Sequence, residues 1–210
     1  MKKSLQLFGL LFMASFIFTA CNNNRDDDKS KFYDEGVVIN GIRWATRNVD
    51  APGTFARNPE SAGRFYQWGT LSARNAHWPS TGTIPVENWN VDWDRTPWTI
   101  ATDPCPEGWR VPTEEELRSL NRANSIWTTR NGVNGRLFGT EPNQIFLPAA
   151  GSRFNLGGGL RHVGEGGRYW SRYQGNVQGA WHFYFGANEN EMSGSWSRAH
   201  GMSIRCVAED

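Results

Sequence analysis

The alternation of apolar and polar residues predicts short β-strands along much of this chain. Large side chains alternate with polar ones in Ala180–Phe185 and again in Met202–Val207, and this period of two is typical of strands. Val37–Trp44 has apolar runs on both sides of Asn40-Gly41, which predicts a hairpin. Two further short strands are predicted at Arg64–Trp68 and Gln144–Pro148.

One segment has the period of a helix. Thr113 and Glu116 have the spacing of a capping box, and Leu117, Leu120 and Ala123 form one apolar stripe. The pattern predicts a helix over residues 113–124. Acidic residues at its start suit the helix dipole, so we assign them no catalytic role.

The remaining segments are predicted to be turns and loops. Eleven Trp with 23 Gly and 10 Pro are typical of many short strands joined by turns, with little helix. Gly69–Pro104 is long and irregular, which predicts that its Trp residues pin it to the core or that it serves binding. Gly186–Ser193 is predicted to be a polar turn, and Gly157–Gly159 a flexible loop without the context of a phosphate site.

The first twenty residues have the pattern of a leader. Lys2 and Lys3 precede an apolar run of about 14 residues, which is short for a membrane span of about 20. Phe18-Thr19-Ala20-Cys21 resembles the lipobox of bacterial lipoproteins, which implies that Cys21 is acylated and becomes the new N-terminus. The alternative is ordinary secretion with cleavage near Ala20.

Residues 21–35 are predicted to be a disordered tether, because such a polar run buries too little apolar surface to fold. Its Asp26-Asp27-Asp28 resembles the surface-export signal of Bacteroidetes lipoproteins. That resemblance implies a lipid-anchored protein of the outer membrane that faces the exterior.

Charge and cysteines narrow the possibilities further. The net charge of +1 argues against nucleic acid, which requires a strongly basic face. Cys105 and Cys206 remain after lipidation, and a pair in an exported chain predicts a disulfide. Closing so long a loop is worth about 4–5 kcal/mol in the chain-entropy model. A redox or metal site is the competing interpretation, but neither residue has a Cys or His at ligand spacing.

Four motifs carry a family resemblance. Gly63–Gly69, Cys105–Thr113, Tyr169–Ser171 and Ser203–Val207 resemble the Fibrobacter succinogenes major paralogous domain. The resemblance covers residues 36–208 and implies a single domain of α+β class with a C-type-lectin-like fold. In that fold a terminal strand pair and one or two helices support long loops, and a disulfide from before the helix to the last strand would suit it.

The resemblance and the composition together point to a recognition face near the C-terminus. The superfamily includes variable receptors whose diversified positions precede a terminal strand, here Gly201–Arg205. The loops of 169–207 are rich in rigid aromatic, Arg, His and Asn side chains, which are typical of binding surfaces. The candidate ligand-binding residues are Arg172, Tyr173, Gln174, His182, Tyr184, Trp196, Arg198 and His200.

Periodicity also predicts which of these side chains are exposed. Period two in the strand separates Trp181, Phe183 and Phe185 from His182 and Tyr184, and we expect the first set to be buried and the second exposed. Trp196 follows in a polar segment and is expected to be the best exposed aromatic.

Two other kinds of site are weaker candidates. Glu141-Pro142-Asn143 is similar to the calcium triplet of C-type lectins, but calcium takes six to eight oxygens and no Trp-Asn-Asp follows downstream. Trp89–Asp92 lies upstream and is interrupted. We therefore predict no metal and no cofactor.

Catalysis is also not predicted. The four histidines, at 77, 162, 182 and 200, are scattered along the chain. The related formylglycine-generating enzymes need reduced cysteines, which the predicted disulfide removes. The sequence thus favours a non-enzymatic recognition protein for a glycan or protein ligand. A structural or pilus-associated subunit is the first alternative, and a formylglycine-generating-type enzyme is the second.

Overall fold

The computed structural model describes residues 31–69, 77–83 and 96–209. These residues form one helix and fifteen strands in four sheets of antiparallel pairing. The strands are β1 Val37–Ile39, β2 Ile42–Trp44, β3 Arg64–Gln67, β4 His77–Pro79, β5 Trp109–Arg110, β6 Ser125–Arg130, β7 Val133–Thr140, β8 Asn143–Pro148, β9 Ser152–Arg153, β10 Leu160–Arg161, β11 Gly166–Gln174, β12 Gly179–Gly186, β13 Asn190–Ser197, β14 Gly201–Met202 and β15 Val207–Ala208; the helix α1 is Glu114–Asn121.

This combination of a helix with antiparallel sheets confirms the α+β class. No helix of the described residues is long and apolar enough to cross a membrane. The leader, Cys21 and Trp89–Asp92 lie outside the described residues.

The two ends of the domain meet in one sheet, ordered β1-β2-β15-β5. The predicted hairpin of β1 and β2 is confirmed, and its turn residues Asn40 and Gly41 have φ of 52° and 81°. Positive φ at both positions is what a two-residue turn of type I′ requires. Val207 of β15 pairs with Trp44 on one side and Arg110 on the other.

Helix α1 begins at the predicted capping box. Thr113 caps it by accepting a hydrogen bond from the Glu116 backbone N–H, and the Glu116 carboxylate accepts one from the Thr113 N–H. Leu117 and Leu120 are buried, as the stripe predicts. The helix ends at Asn121, three residues earlier than predicted, with Arg122 as its C-cap, and β6 follows from Ser125.

Two larger units have three strands each, ordered β6-β7-β8 and β11-β12-β13. In the second unit, the predicted polar turn at 186–193 is wrong beyond residue 189, because Asn190–Ser197 pairs with β12 as a strand. The hydrogen-bonding edge of β12 outweighs the polar character of this segment.

The predicted strand Met202–Val207 is also broken. Gly201–Met202 pairs with β3, whereas Val207–Ala208 joins the terminal sheet. Between them the Ser203 N–H donates to Arg168 O and the Val49 N–H donates to Ile204 O. The chain therefore crosses from one sheet to another while its backbone groups remain paired.

The core has two parts, which cover opposite faces of the β11-β12-β13 sheet. One part includes Leu117, Tyr169 and Phe183, and the other includes Tyr66, Trp170 and Met202 among its members. Trp98 is buried in the second part, 5.7 Å from the Trp68 ring, and so pins the end of the long irregular segment as predicted. The β11-β12-β13 sheet is thus covered on both sides, so candidate ligand-binding side chains on either face can be buried.

The predicted disulfide joins Cys105 to Cys206, with their Cα atoms 6.1 Å apart. It ties the segment before β5 to the segment before β15. Residues 31–35, the end of the predicted tether, contact the domain in this structure. Asp34 is buried and accepts hydrogen bonds from the backbone N–H groups of Gly36 and Thr46.

Candidate functional site

The eight candidate ligand-binding residues do not form one surface. Tyr173 and Gln174 are exposed, Arg172, Tyr184 and Trp196 are half-buried, and His182, Arg198 and His200 are buried. Four of them gather on one face of the β11-β12-β13 sheet, namely His182, Tyr184, Trp196 and His200.

The expected exposure of His182 is wrong, since only 1% of its surface is accessible. Its ring lies 5.9 Å from the Trp170 ring and 5.4 Å from the Trp196 ring. Period two separates the faces correctly, but both faces of this sheet are covered by core residues. Phe183 and Phe185 are buried as expected, whereas Trp181 is only half-buried under the Arg118 guanidinium.

Arg198 holds a loop in place. Its Nη2 donates to Gln174 Oε1 at 3.1 Å and to Asn176 O at 2.9 Å, and its guanidinium lies over the Trp68 ring. This geometry ties β13 to the loop that joins β11 to β12. The side chains of Arg198 and Gln174 are therefore hydrogen-bonded to each other.

Arg172 and Tyr173 lie at the far end of β11. The Arg172 backbone N–H donates to Pro112 O, which places this end of the strand beside the start of the helix. Tyr173 is 52% exposed and belongs to no aromatic pair among the described side chains. Neither side chain is among the described ring and cation–π partners of Trp196.

Arg168 is at the centre of that group, and the sequence reasoning missed it. Its guanidinium carbon lies 4.5 Å from the centroid of the Tyr184 ring and 4.6 Å from that of Trp196, so it contacts both aromatic faces. Tyr184 fits there because Gly166 and Gly186 lack side chains: a Cβ at Gly166 would lie 2.9 Å from the Tyr184 ring, and one at Gly186 would lie 2.9 Å from its hydroxyl. The available signal was period two in β11, which puts Arg168 and Trp170 on one face.

Several buried nitrogen atoms in this group have no hydrogen-bond partner. They are Arg168 Nε and Nη1, His182 Nδ1 and His200 Nε2. Orphaned buried polar atoms are uncommon in folded proteins, and each one calls for a physical explanation.

The protonation of the two histidines follows from their surroundings. Burial, with a smaller contribution from the Arg168 charge, lowers the pKa of His182 to about 3 and that of His200 to about 4. Both rings are therefore neutral at pH 7. His200 Nδ1 lies 3.1 Å from Ser197 O, and a carbonyl only accepts, so the proton is on Nδ1. His200 Nε2 then carries a free lone pair.

His200 and Trp196 line a small cavity of about 150 Å³. Its other lining residues are Ser152, Phe154, Arg161 and His162. The Phe154 ring lies 5.6 Å from the His200 ring, and the Arg161 guanidinium lies 5.4 Å from the Phe154 centroid. We call this recess the Trp196–His200 pocket.

One buried arginine holds the loop that forms this pocket. Arg153 Nη1 donates to Gly158 O at 2.8 Å, and its Nη2 donates to Pro79 O, Thr81 O and Gly82 O. The glycine run predicted to be a flexible loop is therefore a turn anchored to the segment after β4. A held loop gives the pocket walls fixed positions.

The Glu141-Pro142-Asn143 triplet occupies the turn between β7 and β8, beside an open depression of about 630 Å³. Among the described residues, no group of three or more His, Cys, Asp or Glu side chains comes together to hold a metal ion. Calcium needs more oxygens than one such triplet supplies. The geometry therefore adds nothing in favour of a calcium site.

The fold and the site define a class of protein: an α+β domain with a disulfide between its segments and a small aromatic recess beside its C-terminal strands. The chain belongs to the Fibrobacter succinogenes major domain family, whose model matches residues 18–208. No curated protein and no solved structure matches the chain.

Proposed function

We propose that this protein is a non-enzymatic recognition module, anchored by lipid to the outer membrane, that binds its ligand in the Trp196–His200 pocket. The observation that carries the proposal is the pocket itself. Its walls include the Trp196, Phe154 and His200 rings, and its lining is almost entirely apolar. Small-ligand sites are lined predominantly by hydrophobic and aromatic side chains.

The fold proposed for the domain is the C-type-lectin-like one. The first and last strands lie in one sheet, where β15 pairs with β2, and the disulfide reaches the residue before β15; both features support this fold. The same disulfide argues against formylglycine-generating chemistry, because it leaves no thiol at Cys105 or Cys206. The described hydrogen bonds of His162 and His200 go to the Glu165 carboxylate and the Ser197 backbone carbonyl, and neither group is a nucleophile of the Ser or Cys type.

A binding screen with the full chain in detergent tests the recognition role. We expect Trp196→Ala to abolish binding to ligands found on a glycan and protein array. Tyr173→Ala is the matched control, since it removes an exposed aromatic outside the pocket, and its binding should be unchanged. Circular dichroism of both variants establishes that they are folded. Ligands that bind equally to both variants would contradict a site at the pocket.

The anchor is tested separately. Cys21→Ser should abolish incorporation of radiolabelled fatty acid and release the protein from the membrane fraction. Protease added to intact cells should degrade the wild-type protein if it faces the exterior. Labelling that persists in Cys21→Ser would contradict the lipobox interpretation.

A further inference from the structure

The Trp196–His200 pocket offers an occupant almost no hydrogen-bonding groups. Its lining is almost entirely apolar, although Ser152, His162 and His200 contribute to it. His200 Nε2 has almost no accessible surface, so an occupant of the pocket does not reach this atom. A sugar hydroxyl placed here would lose its hydrogen bonds to water without replacement, which costs free energy. The pocket therefore favours an apolar group over a sugar.

The volume of the pocket fits one amino-acid side chain. About 150 Å³ is available. A dry apolar cavity of about 150 Å³ in another protein binds one benzene molecule, which has the size of a phenylalanine ring. The Trp196 and Phe154 rings lie 4.8 and 5.6 Å from the His200 ring, between centroids, and give the occupant aromatic surfaces to pack against.

Exposed apolar side chains extend the apolar surface beyond the pocket. Leu156, two residues beyond Phe154, is 67% exposed, and Val163, next to His162, is 55% exposed. A small molecule inside the pocket would leave both side chains in water, whereas the surface of a protein partner would cover them. These two residues therefore favour a protein over a free small molecule.

Arg161 adds a positive charge to this surface. It lines the pocket, it is exposed to solvent, and its guanidinium lies 5.4 Å from the Phe154 ring centroid. Among the described residues it has no carboxylate within ion-pair distance, and the Glu165 carboxylate pairs with His162 at 3.0 Å. A carboxylate on the partner would complement the charge of Arg161.

We propose that the Trp196–His200 pocket receives a phenylalanine or leucine side chain of a protein partner, next to an Asp or Glu of that partner that pairs with Arg161. This inference rests on the proposed function and specifies a protein ligand for the same site. The apolar lining selects the inserted side chain, and Leu156 and Val163 contact the partner around it. Arg161 selects the acidic neighbour.

Peptide selection tests the proposal. A phage-displayed library of random peptides is selected on the full chain in detergent, and clones that also bind Trp196→Ala are discarded. We expect the remaining sequences to be enriched in Phe or Leu with an adjacent Asp or Glu. If circular dichroism shows that Trp196→Ala is unfolded, Phe154→Ala takes its place, since it removes a half-buried wall of the same pocket.

Two changes in the selected peptide separate the contacts. The commonest sequence is labelled with fluorescein and titrated by fluorescence anisotropy. Replacing its Phe or Leu with Ala should weaken binding at least about tenfold, because residues that fill a pocket carry most of the binding energy. Replacing its acidic residue with Asn should weaken binding about threefold, because the ion pair with Arg161 is exposed. This smaller difference should decline as salt is raised.

Charge reversal assigns the acidic contact to Arg161. The Arg161→Glu variant should bind a peptide with Lys in place of the acidic residue more tightly than it binds the original peptide. Arg122→Glu is the matched control, because Arg122 is exposed beyond the end of α1 and does not line the pocket. This control should keep the wild-type preference for the acidic peptide.

Selected peptides without Phe or Leu, an unchanged affinity after the change to Ala, or an Arg161→Glu variant that still prefers the acidic peptide would each overturn the proposal. If no peptide depends on Trp196 while a glycan on the array does, the assignment of a protein ligand fails and the proposed function stands. If neither peptides nor array ligands depend on Trp196, both fail.

Discussion

Arg205 and Asn48 form a hydrogen-bonded polar pair that is fully buried in the domain. Arg205 Nε and Nη2 donate to Asn48 Oδ1 at 2.9 and 2.7 Å, and neither residue has accessible surface. The guanidinium also donates to Ala45 O and Phe146 O. Burial lowers the pKa of Arg205 to about 10, so it stays charged at neutral pH.

Asn48→Ala should therefore destabilise the domain strongly, because it leaves a buried charge with too few acceptors. We expect a loss of about 3–5 kcal/mol in the free energy of unfolding. Urea denaturation followed by tryptophan fluorescence measures it. Asn188→Ala, in the exposed turn between β12 and β13, is the control and should change stability by less than about 0.5 kcal/mol. A loss of unfolding free energy below about 1 kcal/mol for Asn48→Ala would show that the Arg205–Asn48 pair contributes little to stability.

The disulfide should contribute through the unfolded state. Replacing Cys105 and Cys206 together with Ser removes a constraint across 101 residues of sequence separation. The chain-entropy model gives a loss of about 4–5 kcal/mol. Reduction of the wild-type protein with dithiothreitol should reproduce the loss. An unchanged urea midpoint after complete reduction would rule out this contribution.

Histidine burial predicts acid sensitivity. The pKa of His182 is about 3 and that of His200 about 4 in the folded protein, against about 6.5 for an unperturbed histidine. Above pH 6.5 both rings are neutral in both states, and their contribution to stability is complete. As the pH falls from 6.5 toward 4, these two histidines take up protons only in the unfolded chain. The free energy of unfolding then falls by about 1.4 kcal/mol per pH unit for each histidine.

The double variant His182→Gln, His200→Gln isolates this effect, since the carboxylates are common to both proteins. We expect its unfolding free energy to vary less steeply between pH 6.5 and 5 than that of the wild type. Urea denaturation at several pH values provides both slopes. Parallel slopes would mean that the two rings titrate normally in the folded state.

Arg153 should control the order of the pocket loop. Arg153→Met fills similar space but leaves the carbonyls of Pro79, Thr81, Gly82 and Gly158 without their donors. We expect a loss of about 2–4 kcal/mol. Amide hydrogen exchange at Phe154 and Gly158, whose N–H groups donate within this loop, should become faster. Unchanged exchange at both amides would contradict the anchoring role.

The helix cap gives a smaller and more local effect. Thr113→Ala removes the hydroxyl that accepts from the Glu116 N–H, and we expect a loss of about 1 kcal/mol. Thr113→Ser keeps the hydroxyl and should be nearly neutral. Thermal unfolding monitored by circular dichroism distinguishes them, and equal midpoints for the Ala and Ser variants would count against the cap.

Much of the candidate site was only partly predictable. The sequence placed Tyr184, Trp196 and His200 in one region, and the structure brings them together around Arg168. It did not predict Phe154 and Arg161, which reach the pocket from a loop about 40 residues earlier in the chain. Pairing of β14 with β9 makes that approach possible, and such long-range pairing leaves no local signal.

The sequence by itself determined the features that depend on neighbouring residues. The Asn40-Gly41 turn, the Thr113 cap and the helix stripe each follow from the conformational preferences of a few adjacent positions. The cysteine pairing followed from the two cysteines that remain beyond Cys21 in a chain whose leader pattern predicts export. Only the tertiary structure decided that His182 is buried, that Arg168 lies between two rings and that a pocket forms at His200. Periodicity states which side chains share a face, but burial of that face depends on what distant segments pack against it.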